Sequence, residues 1–265
     1  MYQSNAAYQA TSTICADDKV DTGDRDLKAS FAICSIAERK LFAQSSCIVP
    51  ISMMVNKELE EREDRRFKAT IQLVSTSFKS CVLLLGDTLY RHAPAIDSEE
   101  DDTILYERAK KAGDLWIERN EGVYHNSTMH FIFKRWDDYL NHPNFSEHYV
   151  RLRKLYEEDQ NYQHAVQLNA KEYLDRQINL KKTNADYDKA FSKSIVYLIE
   201  ECAAMCLWAE EGYSFEVYAN GRCPAMAATY EKVIKVDYPG LLKSVGLRFK
   251  KRIHQKRVNP VLESV

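Results

Sequence analysis

Three short segments of this chain carry side chains whose types and spacing suit acyl transfer. The first is Ser46-Cys47-Ile48-Val49-Pro50-Ile51-Ser52, an apolar, β-branched run with a serine where a strand should end. Ligands of open parallel sheets sit beyond the carboxyl ends of the strands, so the Ser52 hydroxyl stands where a nucleophile works. A turn former or helix cap is the plainer reading of such a serine. The second segment, Ile195 to Trp208, is apolar nearly all round and reads as a buried helix, yet it holds Tyr197, Glu200 and Glu201. Carboxylates there are costly unless hydrogen-bonded, paired or lining a cavity. Tyr197 and Glu201, spaced i, i+4, share a face. The third, Ser214-Phe215-Glu216-Val217-Tyr218, alternates and predicts a strand with Glu216 and Tyr218 on one side; the ordinary alternative for Tyr218 is a core-edge tyrosine.

The elements that must position these groups are legible around them. A strand at Cys47–Ile51 is followed by a dense charge run, Lys57 to Arg66, which reads as a solvated helix continued by apolar positions to Val74. Cys81 to Leu85 then Gly86-Asp87 is the pattern of an inner parallel strand opening onto a loop. Strand, helix, strand makes a right-handed βαβ unit and hence an α/β sheet, with Ser52 and Asp87 at the same edge. The acids Glu99 to Asp102 begin a helix to about Glu121, and Met129 to Phe133 alternates as a third strand. Trp136–Leu140 and Glu147 to about Leu180 read as helices broken near Pro143. Residues 26–43 are expected to form a short outer helix, and residues 1–25 a disordered tail.

Composition bounds the rest. With 265 residues, 45% hydrophobic and 29% charged, the chain suits one large domain, expected over residues 26–242. Formal net charge is -2, but residues 243–265 form a basic segment: Lys243, Arg248, Lys250, Lys251, Arg252, Lys256 and Arg257 precede the first acid, Glu263. That is either a polyanion-binding patch or a solvated tail. The seven cysteines are scattered without a CxxC pair and no secretory signal leads the chain, a pattern expected of the reducing cytoplasm. Cys202 and Cys206, one helical turn apart in an apolar run, read as packing rather than metal ligands, and the histidines lack metal-ligand spacing. Neither a membrane-spanning run nor a glycine-rich phosphate loop after a strand is present, so no membrane, metal or cofactor is expected.

On these residues the chain resembles the tRNA-dependent cyclodipeptide synthases. The match lies in Ser52 of PISMMVN, Tyr197 and Glu201 of YLIEE, and Tyr218 of FEVYANGRCP, in that order, with RWDDYLNHPNFSEHYVRLRKLYEED resembling the family's helical insertion; it covers roughly Cys47 to Tyr230. The family often has an asparagine three residues past the serine, where this chain has Asn56 one position later. It commonly has His or Pro after the second tyrosine, where this chain has Ala219. Those departures set the chain outside the two main bacterial subgroups and point to a divergent branch such as the fungal arginine-using one.

The resemblance implies a single Rossmann-like domain with a central, mostly parallel sheet flanked by helices, similar to the catalytic domains of class I tyrosyl- and tryptophanyl-tRNA synthetases. It implies that two aminoacyl-tRNAs become a diketopiperazine without a cofactor. An aminoacyl ester is already activated, so Ser52 needs no Ser-His-Asp relay. Tyr197 and Glu201 are implied to hold the first α-amino group, Glu201 to accept a proton, and Tyr218 to serve cyclisation. Pro50, Leu84, Asp87 and Glu216 are expected around the substrate. Arg108, Lys110, Lys111 and Arg119 match the family's basic tRNA-binding helix, with Lys250, Lys251 and Arg252 as a second basic group. Glu216 aligns near a position that is apolar in relatives accepting Phe or Leu, so a cationic first side chain, arginine, is expected. A different Rossmann-like nucleotide-dependent transferase, with Gly86-Asp87 approaching a ribose, and a non-catalytic tRNA-binding module are the rival readings.

Overall fold

The computed structural model describes residues 27–53, 57–93, 100–181, 187–219 and 221–251; the expectations for residues 1–25, Asn56 and Arg252 lie outside them. Six strands form one sheet: β1 (Leu27–Ile33), β2 (Ser46–Ile51), β3 (Ser80–Leu85), β4 (Phe131–Arg135), β5 (Phe215–Tyr218) and β6 (Lys243–Lys251), in the order β1-β6-β5-β2-β3-β4. All neighbours are parallel except β1 and β6. The helices are α1 (Ile36–Arg39), α2 (Lys57–Ser75), α3 (Asp102–His125), α4 (Trp136–Leu140), α5 (Phe145–Glu158), α6 (Gln160–Lys181) and α7 (Tyr187–Glu210). After β5 come α8 (Pro224–Thr229), a π-helical turn (Tyr230–Ile234) and α9 (Lys235–Asp237).

The apolar runs of β2 and β3 are continuous because both of their faces are covered. Cys47, Val49, Leu83 and Leu85 pack with Phe67, Ile71 and Val74 of α2 and Trp116 of α3. Ile48, Val82 and Leu84 face the other way, against α7 and the helices around it. The all-round apolar run in α7 is accordingly core: Cys202 to Ala209 have no exposed surface.

Two segments differ from the sequence reading. Leu27–Ile33 is a strand rather than a helix: Ala29 is buried while Lys28 and Ser30 are exposed, a period of two that antiparallel pairing with β6 satisfies. Ile36–Arg39 is the α-helical part of that stretch, held by a capping box between Ser35 and Glu38, and a 3-10 turn follows at Phe42–Gln44. The sheet also runs past the boundary expected at residue 242. Lys243–Lys251 is β6, lying between β1 and β5, because Val245 and Leu247 alternate into the core while Arg248 and Lys250 face outward.

The strand order reverses between β2 and β5, and that switch point is where such sheets open a crevice. Pro50 widens it. The Gly86 N–H bonds the Ile51 carbonyl on the β3 side, so alternation turns the Pro50 nitrogen, which has no hydrogen to donate, toward β5. The β2–β5 ladder runs over Cys47↔Phe215 and Ile48↔Glu216 and ends before Pro50.

Candidate active site

Ser52 follows β2 directly and is exposed; its Oγ lies 2.8 Å from the phenol oxygen of Tyr218, the last residue of β5. The hydroxyl and the phenol therefore meet across the switch-point crevice. Opposite them runs α7, where Tyr197 and Glu201 keep partial exposure although the next eight residues of the helix are buried. An accessible i, i+4 pair on an otherwise buried helix marks a cleft wall. Tyr197 is fixed by stacking on Tyr173 of α6, centroids 5.7 Å apart and planes 5° from parallel, with the His92 ring edge-on at 6.1 Å.

The charges in the cleft act on one another. Burial, and after it the charge of Glu216, push the Glu201 carboxyl up to about 7. Burial and then Glu201 hold the Tyr197 phenol well above its usual range. Tyr218 is pushed up to about 12, by burial first and Glu201 second, with the Ser52 bond pulling the other way.

Glu200 has its own set of donors. Its Oε2 takes Arg91 at 2.6 Å and His92 at 3.2 Å, and its Oε1 accepts from the Trp136 indole at 2.9 Å. Burial alone would raise Glu200, but His92 and Arg91 outweigh it and hold the group below the usual carboxylate range. Glu201, by contrast, acts electrostatically on Tyr197, Tyr218 and Glu216.

Glu216 is wholly buried on the same sheet face as Tyr218. Its Oε2 accepts from Arg222 Nε at 2.9 Å, while Oε1 is buried with no partner among the described residues. Burial raises the Glu216 carboxyl further than the Arg222 charge lowers it. Arg222 also donates to the Leu242 carbonyl and lies over the Tyr230 ring at 3.9 Å, so it clamps the loop after β5 onto the π-helical turn. Sequence reasoning passed over Arg222; its only signal was an arginine in a Gly-Arg-Cys-Pro turn six residues from an acid in an apolar strand.

The other expected site residues are placed variously. Pro50 pairs with Leu84 and lines the crevice side of β2, whereas Leu84 is wholly buried beneath α7. Asp87 is fully buried and engaged: Oδ2 takes Arg135 at 2.5 Å and Oδ1 accepts the Trp136 N–H at 3.3 Å, so its carboxylate is a clamp between β3 and β4. On α3, Arg108 pairs with Glu100 and Arg119 with Asp64, each at 2.6 Å, while Lys110 and Lys111 are exposed. Lys250 is exposed on β6, and the side chain of Lys251 lies outside the described set. A hollow of about 190 Å³ lined by Tyr124, His125 and His130 sits at the amino end of β4, the edge opposite Ser52. Among the described residues no group of three or more His, Cys, Asp or Glu is placed to hold a metal, and no helix is long and apolar enough to cross a membrane.

Chemically, the cleft offers an accessible hydroxyl bonded to a phenol, beside a carboxyl that titrates near neutrality. Such a set suits transfer of an acyl group that arrives already activated, with the carboxyl able to take or return a proton.

No protein-family model and no curated protein matches the sequence. Solved structures do. A CDPS (cyclodipeptide synthase) from Fluoribacter dumoffii is 42% identical, with a TM-score of 0.80 over 86% of this chain and 100% of that one. A cyclodipeptide synthase from Candidatus Glomeribacter gigasporarum, solved bound to Phe-tRNAPhe, shares the fold at 16% identity and a TM-score of 0.66, over 87% of this chain and 98% of that one. A Mycobacterium tuberculosis protein, whose structure relates cyclodipeptide synthetases to type I tRNA synthetases, shares it at 9% identity and a TM-score of 0.56, over 87% and 96%.

Proposed function

This chain belongs to the cyclodipeptide synthases, which are tRNA-dependent aminoacyltransferases, and we propose that it makes a diketopiperazine through an aminoacyl ester on Ser52. Ser52 Oγ attacks the ester carbonyl of the first aminoacyl-tRNA; the tRNA 3′-terminal oxygen leaves with a proton, and one ester replaces another. The α-amine of a second aminoacyl-tRNA attacks the Ser52 ester, forming a peptide bond and returning the hydroxyl. The free amine of the dipeptidyl-tRNA then attacks its own ester, closing the ring and releasing the second tRNA. Every step exchanges an ester for an ester or an amide, so neither nucleotide nor metal enters the balance.

Tyr197 and Glu201 hold the first α-amino group, and the ammonium restores Glu201 to its charged form by supplying the counter-charge it lacks. Once the acyl group is on Ser52, Glu201 takes the proton of the attacking amine, and Tyr218 steers the Ser52 oxygen in both directions. The observation that carries the reading is the 2.8 Å Ser52–Tyr218 contact at the switch point, beside a glutamate that burial and the Glu216 charge push up to about 7. Expression in a bacterium with mass spectrometry of the medium tests it. The wild type should release a diketopiperazine and Ser52→Ala none; equal product from both ends the proposal.

The first side chain is the finer part. The expectation of arginine relied on a free Glu216 carboxylate, and Glu216 already carries the guanidinium of Arg222. With Glu201 and Glu216 negative and Arg222 positive, an α-ammonium alone balances the cleft. What Glu216 still offers is the unpartnered Oε1, which favours a first side chain that donates a hydrogen bond. A donor without charge suits this balance better than arginine does. An arginine-containing product that disappears in Glu216→Ala would restore the original expectation, and an unchanged product spectrum would remove Glu216 from selection altogether.

A further inference from the structure

A buried ion pair loses in hydration about what it gains in attraction, so an apolar pair of the same volume serves a core at least as well. Glu216 and Arg222 nevertheless form such a pair. The Glu216 side chain is wholly buried and that of Arg222 is 9% exposed, with Arg222 Nε 2.9 Å from Glu216 Oε2. The place of the pair in the fold gives it another use. Glu216 and Tyr218 are two residues apart on β5 and share a sheet face, and the Tyr218 phenol is the group bonded to Ser52. Glu216 is also the charge that acts on Glu201.

The arginine holds that charge without saturating it. A guanidinium that saturates a carboxylate forks onto both of its oxygens. Arg222 instead gives Nε to Glu216 Oε2 and Nη2 to the Leu242 carbonyl, and its guanidinium carbon lies 3.9 Å from the centre of the Tyr230 ring. Oε1 of Glu216 keeps no partner among the described residues. Burial works against a charge on Glu216, and Arg222 opposes it. Without the guanidinium, a wholly buried carboxylate takes up a proton rather than stay charged. Glu201 then loses the neighbour that resists its ionisation. Around it stand Tyr197 and Cys202 on its own helix, Tyr218 and Glu216 on β5, and Cys223 in the following loop. Burial holds the phenols and thiols among these neutral, so the charge comes from Glu216.

We propose that Arg222 is a positioning residue for acyl transfer: it keeps Glu216 ionised, and the ionised Glu216 keeps Glu201 a strong enough acceptor for the proton of the attacking amine. This rests on the acyl-transfer reading for the part Glu201 plays in the reaction, but not for the charge relation among the three side chains. The test labels the full-length protein with 13C at its glutamate carboxyls and assigns the Glu201 and Glu216 signals by their absence from Glu201→Gln and Glu216→Gln. In the wild type Glu216 should be ionised at pH 7, with Glu201 half-titrated at about 7. Arg222→Gln keeps donors but loses the charge. It should raise the Glu216 midpoint and lower that of Glu201 by up to about one pH unit. Arg222→Lys should restore both, and Glu216→Gln/Arg222→Gln should place Glu201 where Glu216→Gln alone places it.

A merely structural role for Arg222 would lower the urea midpoint without this dependence on charge. A Glu201 midpoint unmoved or raised in Arg222→Gln overturns the proposal, as does one that Arg222→Lys fails to restore. Should Arg222→Gln not fold, the wild type and Arg222→Lys decide: a wild-type Glu216 still protonated at pH 7 overturns it alone. With purified aminoacyl-tRNAs, the acid limb of kcat/KM for product formation should shift in the same order as the Glu201 midpoints. A limb that stays fixed while the carboxyls shift overturns the part of Arg222 in the reaction. Carboxyls that titrate as stated in a protein never acylated at Ser52 overturn the acyl-transfer reading instead, and leave the charge relation standing.

Discussion

The carboxyl edge of the sheet carries two acidic centres a few residues apart, and they are finished in opposite ways. Beyond β3 and β4 each carboxylate has its donors: Asp87 has Arg135 and the Trp136 N–H, and Glu200 has Arg91, His92 and the Trp136 indole. Between β2 and β5 the carboxylates are short of them: Glu201 faces the charge of Glu216, and Glu216 has one bonded oxygen and one bare one. Both sets are built from the same residue types in the same low-dielectric surroundings. Saturated carboxylates fix loops in place, whereas a buried carboxylate without donors is tolerable where a ligand brings them.

Adjacent glutamates give the sharpest way to break that comparison. Glu201→Gln should leave the fold intact and lower kcat by roughly 10²- to 10⁴-fold, the usual weight of a positioned acid–base group. Glu200→Ala should do the reverse, costing about 3–5 kcal/mol in urea unfolding by stranding Arg91 and the Trp136 indole N–H, with the folded fraction still active. Equal losses of stability in the two variants would erase the distinction.

The same pair should show opposite pH slopes. Glu201 titrates near 7 when folded and near its ordinary 4.5 when unfolded, so the folded state holds the extra proton and stability falls as pH rises through that window. The penalty amounts to up to about 3 kcal/mol, and Glu201→Gln should recover most of it at pH 8 and little at pH 5. Glu200 is held below its ordinary value, so its contribution is present above 4.5 and lost as pH falls through the folded value. Urea midpoints of the wild type and both variants between pH 4 and 8 read the two signs directly.

Gly113→Ala tests how tightly the saturated centre is closed. A Cβ at residue 113 would lie 2.5 Å from Asp87 Oδ2 and 2.9 Å from Arg135 Nη2, so the clamp must shift to admit it. The expected cost is about 1–3 kcal/mol by overpacking, with product per folded enzyme unchanged. A fall in turnover with stability intact would make Asp87 part of the substrate site after all.

Much of this contrast was legible in the sequence, for reasons that can be named. Ser52, Tyr197, Glu201 and Tyr218 each sit where strand alternation or helix spacing fixes a face, and local periodicity survives folding. The ion pair of Asp87 was not legible, because Gly-Asp after a buried strand marks the loop but not the partner, and Arg135 lies 48 residues away. Arg222 was missed for a similar reason: its three partners, Glu216, Tyr230 and Leu242, converge only through the turn after β5. The β1–β6 ribbon escaped notice because its first strand read as a short outer helix and its second as a basic segment beyond the domain. The alternation in that second strand, Val245, Leu247 and Phe249, is interrupted by no turn residue other than Gly246 and is as strand-like as that of β2.

The smallest expected effect probes how the two carboxylates of the open centre act on each other. Glu201 is surrounded by Tyr197 on its own helix, Tyr218 and Glu216 on β5, and Cys223 in the following loop, with Arg222 beyond Glu216. Burial is the main cause of its elevation and the Glu216 charge the second. Glu216→Gln removes only the second, keeps an acceptor for Arg222, and leaves Arg222 anchored on the Leu242 carbonyl and the Tyr230 ring. If proton transfer to Glu201 limits kcat/KM on the acid side, that limb should move to lower pH by less than about one unit, while kcat on the plateau changes little. A limb that stays where it is means Glu201 does not report the titration; a limb that moves upward means Arg222, freed from its pair, has drawn away from the cleft and taken its positive charge with it.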